Sequence, residues 1–302
     1  MSAKTIIVLL SLLTAQTVPA TAQRRDSGER LKSEIRFSGL LHDNFFEAPE
    51  DGVEEEVTAG RVEGRIALAL SEDGPWEVYG RGSFTAYEGG LEDSSALRAG
   101  MRYDRLPRAL DLHLQYQQDR PTLDVGDEFD RADVLRLAGE YSHRLSRDWQ
   151  ITGLIEAERQ EFDTGRGKDN DLYSGGGSLR YRGWGYRISP EVGIELGERD
   201  AVSPNQDHDQ RDLWIQLRSI PVPAVYLSLR YRLRWRDYSI DDRAASNFGR
   251  EDDRSDWTLG FDVRTGELVT WNLYYSYQDA ESTKPSRTFT NQFLSLGITL
   301  AF

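Results

Sequence analysis

The stretch Val225–Arg236, VYLSLRYRLRWR, alternates without a break. Val225, Leu227, Leu229, Tyr231, Leu233 and Trp235 take every second place, and Tyr226, Ser228, Arg230, Arg232, Arg234 and Arg236 fill the places between. A period of two is that of a β-strand; on a helix the same residues would mix on every face. One face of this strand is wholly apolar and the other carries four arginines. Such a strand separates an apolar medium from a wet one.

The pattern recurs along the chain. Leu110, Leu112, Leu114 and Tyr116 alternate with Asp111, His113 and Gln115, and Trp257, Leu259, Phe261 and Val263 alternate with Thr258, Gly260 and Asp262. Fourteen segments read this way: 34–46, 57–70, 76–87, 95–104, 108–118, 132–144, 148–162, 171–182, 184–198, 211–220, 223–238, 255–265, 268–279 and 288–302. Their connections alternate between short turns and long, charged loops. The short ones are 71–75, 105–107, 145–147, Gly183, 221–222 and 266–267; the long ones are 47–56, 88–94, 119–131, 163–170, 199–210, 239–254 and 280–287. An even number of strands with short turns on one side and long loops on the other is the pattern of a transmembrane barrel.

Bulk properties agree. The chain has 302 residues and a mean hydropathy of −0.61. It has no run of eighteen apolar residues beyond the first 22, which argues against membrane helices. Half-apolar strands average out as polar, so a membrane barrel is compatible with that figure. A net charge of −14 argues against nucleic-acid binding. With no cysteine, the chain has neither a disulfide framework nor a Cys-based metal site. Lys4, the apolar run Ile6–Leu13 and Ala20-Thr21-Ala22 read as a signal peptide over 1–22, cleaved after Ala22. Residues 23–33 then form a short periplasmic segment, too small for a plug, and 34–302 form the barrel.

The chain ends with Leu294, Leu296, Ile298, Leu300 and Phe302 on one face. This resembles the assembly signal of Gram-negative outer-membrane β-barrel proteins. The resemblance implies the bacterial outer membrane as location, lipid and lipopolysaccharide as surroundings, and recognition of the strand ending in Phe302 by the barrel-assembly machinery. The fold class is therefore all-β: a transmembrane antiparallel up-and-down β-barrel of about fourteen strands. Aromatic residues cluster near both ends, as interfacial girdles require. Trp76, Tyr103, Tyr141, Trp149, Tyr181, Trp184, Tyr186, Trp271 and Phe302 lie near the short turns, and Phe45, Phe46, Tyr87, Phe162, Tyr173, Trp235, Tyr238 and Trp257 near the long loops. Two features are irregular. Pro190 falls inside a segment and suggests a bulge or bend, and Gly175-Gly176-Gly177 weakens another.

With apolar residues toward lipid, the alternate residues face the interior. The inward arginines are Arg36, Arg61, Arg65, Arg81, Arg98, Arg102, Arg136, Arg180, Arg182, Arg187, Arg218, Arg230, Arg232, Arg234, Arg236 and Arg264. The inward acids are Glu34, Glu63, Glu77, Asp111, Glu140, Glu156, Glu158, Glu191, Glu195 and Asp262. The wall is thus net positive while the long loops hold the surplus acid. Charges also look segregated. Glu156, Glu158, Glu191 and Glu195 sit on segments seven and nine, the arginine ladder on segment eleven, and Arg61, Arg65, Arg81, Arg98 and Arg102 elsewhere on the ring. Opposed charged walls would set a transverse field across a wet lumen.

Chemistry beyond passage has little support. There is no G-x-S-x-G motif. Asp207-His208-Asp209 in a long loop faintly resembles the Asp/His chemistry of outer-membrane proteases but lacks an evident partner acid pair. Asp124, Asp127, Glu128 and Asp130, and Asp169-Asn170-Asp171, offer oxygen ligands without the spacing of a calcium loop. The expectation is a protein that is not an enzyme, without cofactor or metal: a porin-like diffusion channel for small polar solutes, with a preference for anions. The alternative is a non-conducting barrel whose arginines form an internal ion-pair network, serving as an accessory of polysaccharide or lipoprotein export or as a structural or adhesive surface protein.

Overall fold

A strand in lipid must have every backbone group paired, which only a closed sheet achieves. The computed structural model shows that closure: fourteen antiparallel strands, each bonded to its neighbours in sequence, with the first paired to the last. The structure describes residues 30–43, 56–71, 74–88, 93–123, 129–163, 169–184, 187–203, 206–238, 240, 243, 245 and 247–302. The expected signal peptide and Phe45, Phe46 and Tyr186 lie outside the described residues, as do Asp124, Asp127 and Glu128.

The strands are β1 (Leu31–His42), β2 (Val57–Ala69), β3 (Trp76–Tyr87), β4 (Ser94–Arg105), β5 (Arg108–Leu123), β6 (Phe129–Arg144) and β7 (Trp149–Phe162). They continue as β8 (Asn170–Tyr181), β9 (Ile188–Ala201), β10 (His208–Val222), β11 (Val225–Asp237), β12 (Glu251–Thr265), β13 (Val269–Ser282) and β14 (Phe289–Ala301). The seam between β1 and β14 runs from Glu34 opposite Ala301 to His42 opposite Phe293. Ser33 and Phe302 lock its end with reciprocal backbone bonds, the Phe302 N–H donating at 2.8 Å and the Ser33 N–H at 3.3 Å.

The barrel is apolar outside and polar inside. Leu213, Ile215 and Leu217 on β10 are exposed on the outer face, while Asp212 and Trp214 between them are buried. Ile155 on β7 is 69% exposed, Leu97 on β4 64% and Ile66 on β2 59%. A soluble protein could not expose so large a continuous apolar band. Lipid is its solvent. Aromatic residues edge the band at the end bearing the termini, where Trp76 meets Tyr103 and Trp149 meets Tyr181, both with ring centroids 4.9 Å apart. Toward the loop end, Tyr231 and Trp257 stack on the outside at 4.4 Å. Tyr87 and Tyr238 leave the girdle expected from the sequence. Tyr87 stands opposite the buried Ala59, and Tyr238 is buried beside His208.

Several strand ends differ from the sequence reading. The segments expected at 108–118 and 132–144 extend to Leu123 and back to Phe129. A register shift between Gln117 and Arg120, with Asp119 at φ 51, absorbs one irregularity and lets Pro121 pair with Arg131 beyond it. The charges and the proline there had read as loop. β9 begins at Ile188 and not at 184, so the Gly183 turn is wider than expected. Gly183 sits where a Cβ would meet the Tyr181 ring, and Trp184 stands edge-on to that ring at 5.6 Å.

Pro190 causes no bulge. The β9 to β10 register is unbroken through Pro190 opposite Leu217, and pairing to β8 ends one residue earlier, at Glu191 opposite Arg180. Pro190 follows the last β8 pair without an N–H to donate, and the Tyr181 carbonyl at the end of β8 accepts the Ser189 hydroxyl at 3.1 Å. Gly175, Gly176 and Gly177 do not interrupt β8 either. A Cβ on Gly176 would lie 2.3 Å from the Ile194 carbonyl oxygen, so the bare backbone is what lets the strands approach.

Candidate lumenal site

Register decides which charges meet. On β11, Arg230, Arg232, Arg234 and Arg236 stand opposite Gln216, Trp214, Asp212 and Gln210 of β10. Arg234 grips Asp212 with two bonds, its Nε to Oδ1 and its Nη2 to Oδ2, each 3.0 Å. Arg232 adds Nη1 at 3.4 Å from Oδ2 of the same carboxylate, which is 1% exposed. Arg236 donates its Nε to Gln210 Oε1 at 3.1 Å. The ladder is not four equivalent cations. Two of its arginines are tied to one buried acid.

Arg230 differs. Its guanidinium carbon lies 4.5 Å over the Trp214 ring. That indole points inward and lies against Gly193 of β9, where a Cβ would come within 2.3 Å of the ring. Trp214 is 7% exposed. Glycine, indole and guanidinium thus form a stack on the wall, and a stacked guanidinium keeps its edge donors for a ligand. Arg230 has no carboxylate partner among the described residues, and its Nε has no acceptor.

Most of the other acids and arginines expected inward from the sequence are paired; Arg187 and Arg264 are exposed. Glu191 takes Arg180 Nη2 at 2.6 Å, Arg218 Nη1 at 3.1 Å and the Ser178 hydroxyl at 2.7 Å. Glu63 holds Arg81 at 2.6 Å and Arg61 at 3.3 Å. Arg65 bonds Glu77 at 2.8 Å, and Arg102 bonds Asp111 at 2.8 Å. Tyr79 donates its hydroxyl to the same Asp111 at 2.8 Å. Glu156 pairs with Arg136; Glu158 pairs with Arg120 at 3.3 Å. Glu195 accepts the Ser174 hydroxyl at 2.7 Å. Arg182 donates to Gln150 at 3.0 Å, and Arg98 donates its Nε to Gln115 at 2.9 Å. Arg98 has no carboxylate partner among the described residues.

These contacts revise the expected charge segregation. Glu156 and Glu191 are shared with arginines of the strands beside them and Glu158 with Arg120 two strands away, while Glu195 holds the Ser174 hydroxyl, and β9 stands only two places from β11. Among the described residues the charges of this wall are interleaved, acids and arginines pairing along it. The arginines without a carboxylate partner among the described residues include Arg98 on β4 and Arg230 on β11. Those strands are seven places apart in either direction around the barrel, and so lie opposite each other. Arg187 lies outside β9 and is exposed.

The sequence reading missed Asp212, Asp252, Asp256, Arg199 and Arg254. Asp212 and Asp256 were legible, since Asp212 alternates with Leu213 and Ile215, and Asp256 with Trp257. The other three fall where strands run past their expected ends. The Asp207-His208-Asp209 loop is likewise corrected. His208 and Asp209 belong to β10, where His208 packs on Tyr238 at 4.9 Å and bonds the Gln206 carbonyl through Nδ1 at 3.0 Å. Asn170 and Asp171 open β8 and do not form a loop. Among the described residues no group of three or more His, Cys, Asp or Glu is placed to hold a metal.

No family model matches the chain, and no curated protein matches it. Solved structures do. The outer-membrane-expressed OmpT of Vibrio cholerae aligns over 90% of this chain and 97% of its own, at 10% identity and a TM-score of 0.53. A bacterial polysaccharide outer-membrane secretin aligns over 92% of this chain and 100% of its own, at 10% identity and 0.51. Identity this low speaks to fold alone. With the closed sheet, the apolar outer band and the aromatic edges, it makes the chain an outer-membrane β-barrel of bacterial type.

Proposed function

We propose that the barrel is a passive diffusion channel for small polar solutes, with a preference for anions, and that it performs no covalent chemistry. One observation carries the reading. Among the described residues the ion pairs of the interior run along the wall, within a strand or between strands one or two places apart, and Arg98 and Arg230 on opposite strands have no carboxylate partner. Pairs along a wall leave the centre to water, and fourteen strands lie between the filled eight-stranded and the open sixteen-stranded cases. Unpaired cations on opposite walls raise the local concentration of anions. Insertion would proceed through recognition of the C-terminal strand by the barrel-assembly machinery.

A second reading, a non-conducting barrel that assists export, draws on the loop end. There Tyr238, Ile240 and Asn247, of the connection between β11 and β12, are buried. Single-channel recording of the refolded protein in a planar bilayer decides between them. Stable conductance with an anion-biased reversal potential in a salt gradient is the expected result. A folded, heat-modifiable barrel with no conductance would overturn the channel and leave the second reading.

A further inference from the structure

We infer that the loop end of the barrel interior holds a binding site for an oxyanion group, formed by Arg199 of β9 and Arg236 of β11, and that it selects small solutes bearing phosphate, sulfate or carboxylate. The inference deepens the channel reading and rests on it for the view that the bound solute is the one that passes.

Register puts the two arginines on either side of β10. Arg199 stands opposite His208, and Arg236 opposite Gln210. Two strand spacings and a two-residue offset along β10 separate their backbones by about 12 Å, and two arginine side chains reach across that distance. Arg199 is an electrostatic neighbour of Arg236, and both are electrostatic neighbours of His208 between them. Neither has a carboxylate partner among the described residues. Arg236 bonds only the neutral Gln210, at 3.1 Å, and the Arg199 Nε is buried without an acceptor.

The acids nearby are already engaged. Asp212 is held by Arg234 at 3.0 Å, Asp252 by Arg250 at 2.5 Å and Asp256 by Arg254 at 3.0 Å. Glu158, which acts electrostatically on Arg199, is itself bound by Arg120 at 3.3 Å and the Gln160 amide at 2.5 Å. Two like charges held together without a counter-charge are costly, and an unsatisfied buried Nε adds to the cost. An oxyanion between them removes both penalties, because guanidinium donors match its oxygens in pairs. The Tyr238 ring packs on His208, the residue opposite Arg199, and is capped by Arg250 at 4.5 Å.

The test is isothermal titration of inorganic phosphate, and separately sulfate, into the folded barrel in detergent micelles, with ionic strength held by chloride. Saturable binding of one anion per barrel is expected. Arg199→Gln and Arg236→Gln should each weaken it by roughly tenfold or more. Arg159→Gln, on the exposed outer face of β7, should leave it unchanged. Absence of saturable binding by the unaltered protein, or an affinity in both lumenal variants unchanged from that of the unaltered protein, overturns the site. Should a variant fail to fold, the unaltered protein still answers: phosphate must raise the temperature of heat modification more than chloride does at equal ionic strength, and equal shifts overturn the site. Bilayer recording of the same preparation separates the two ideas. Binding without conductance keeps the site and removes the channel. Conductance without binding does the reverse.

Discussion

Asp212 and Arg234 stand directly opposite each other on β10 and β11, joined by two bonds of 3.0 Å, with the carboxylate at 1% exposure. Removing one partner of such a pair leaves the other charge buried and uncompensated. Asp212→Asn should therefore destabilise the barrel by about 3 kcal/mol, read as a lower urea midpoint for protein folded into lipid vesicles. Arg234→Gln combined with it should cost less than the sum of the two single changes. Additive costs would mean that the pair is not a unit.

The arginines of β11 should behave differently from one another. Arg230 rests on Trp214 with no acid to satisfy, so Arg230→Glu should fold and shift the reversal potential toward cations. Arg98→Glu on the opposite strand should shift it in the same direction. Arg234→Glu would set two carboxylates face to face at Asp212, and a loss of folded protein is expected. Equal effects of Arg230→Glu and Arg234→Glu on yield would contradict the division of the ladder.

Gly193 is the floor on which Trp214 lies. A Cβ there meets the ring at 2.3 Å, so Gly193→Val must displace the indole. A cost of about 1–3 kcal/mol follows for an overpacked site, with a change in tryptophan emission as Trp214 moves. Gly64, with nothing within 4 Å of its Cβ position, is the control: Gly64→Ala should leave both readouts near those of the unaltered protein.

Lipid is the solvent of the outer face. Ile155 lies in the middle of β7 and is 69% exposed, so Ile155→Arg should cost about 2–4 kcal/mol in a bilayer. Leu106 is similarly exposed but sits in the turn between β4 and β5. Leu106→Arg should cost little. Equal costs in vesicle-based unfolding would mean that the apolar band is not the lipid-facing one.

Strand number, inward and outward faces, and the side of the short turns were all legible in the chain. A strand between lipid and water must alternate, and the alternation survives wherever the strand is regular. Legibility failed at strand ends. Pairing at 119–123, 188–190 and 251–254 depends on what the neighbouring strand offers, through a bulge at Asp119 or a ladder that stops short of Pro190. It also failed for the charges. Alternation shows that Arg230 and Arg234 share a face, but only the register between β10 and β11 places Asp212 opposite one and leaves the other on Trp214. The medium each face meets is thus a property of the sequence, because period two is local. Which cations remain free is decided by tertiary structure, because an ion pair forms between strands and depends on their offset.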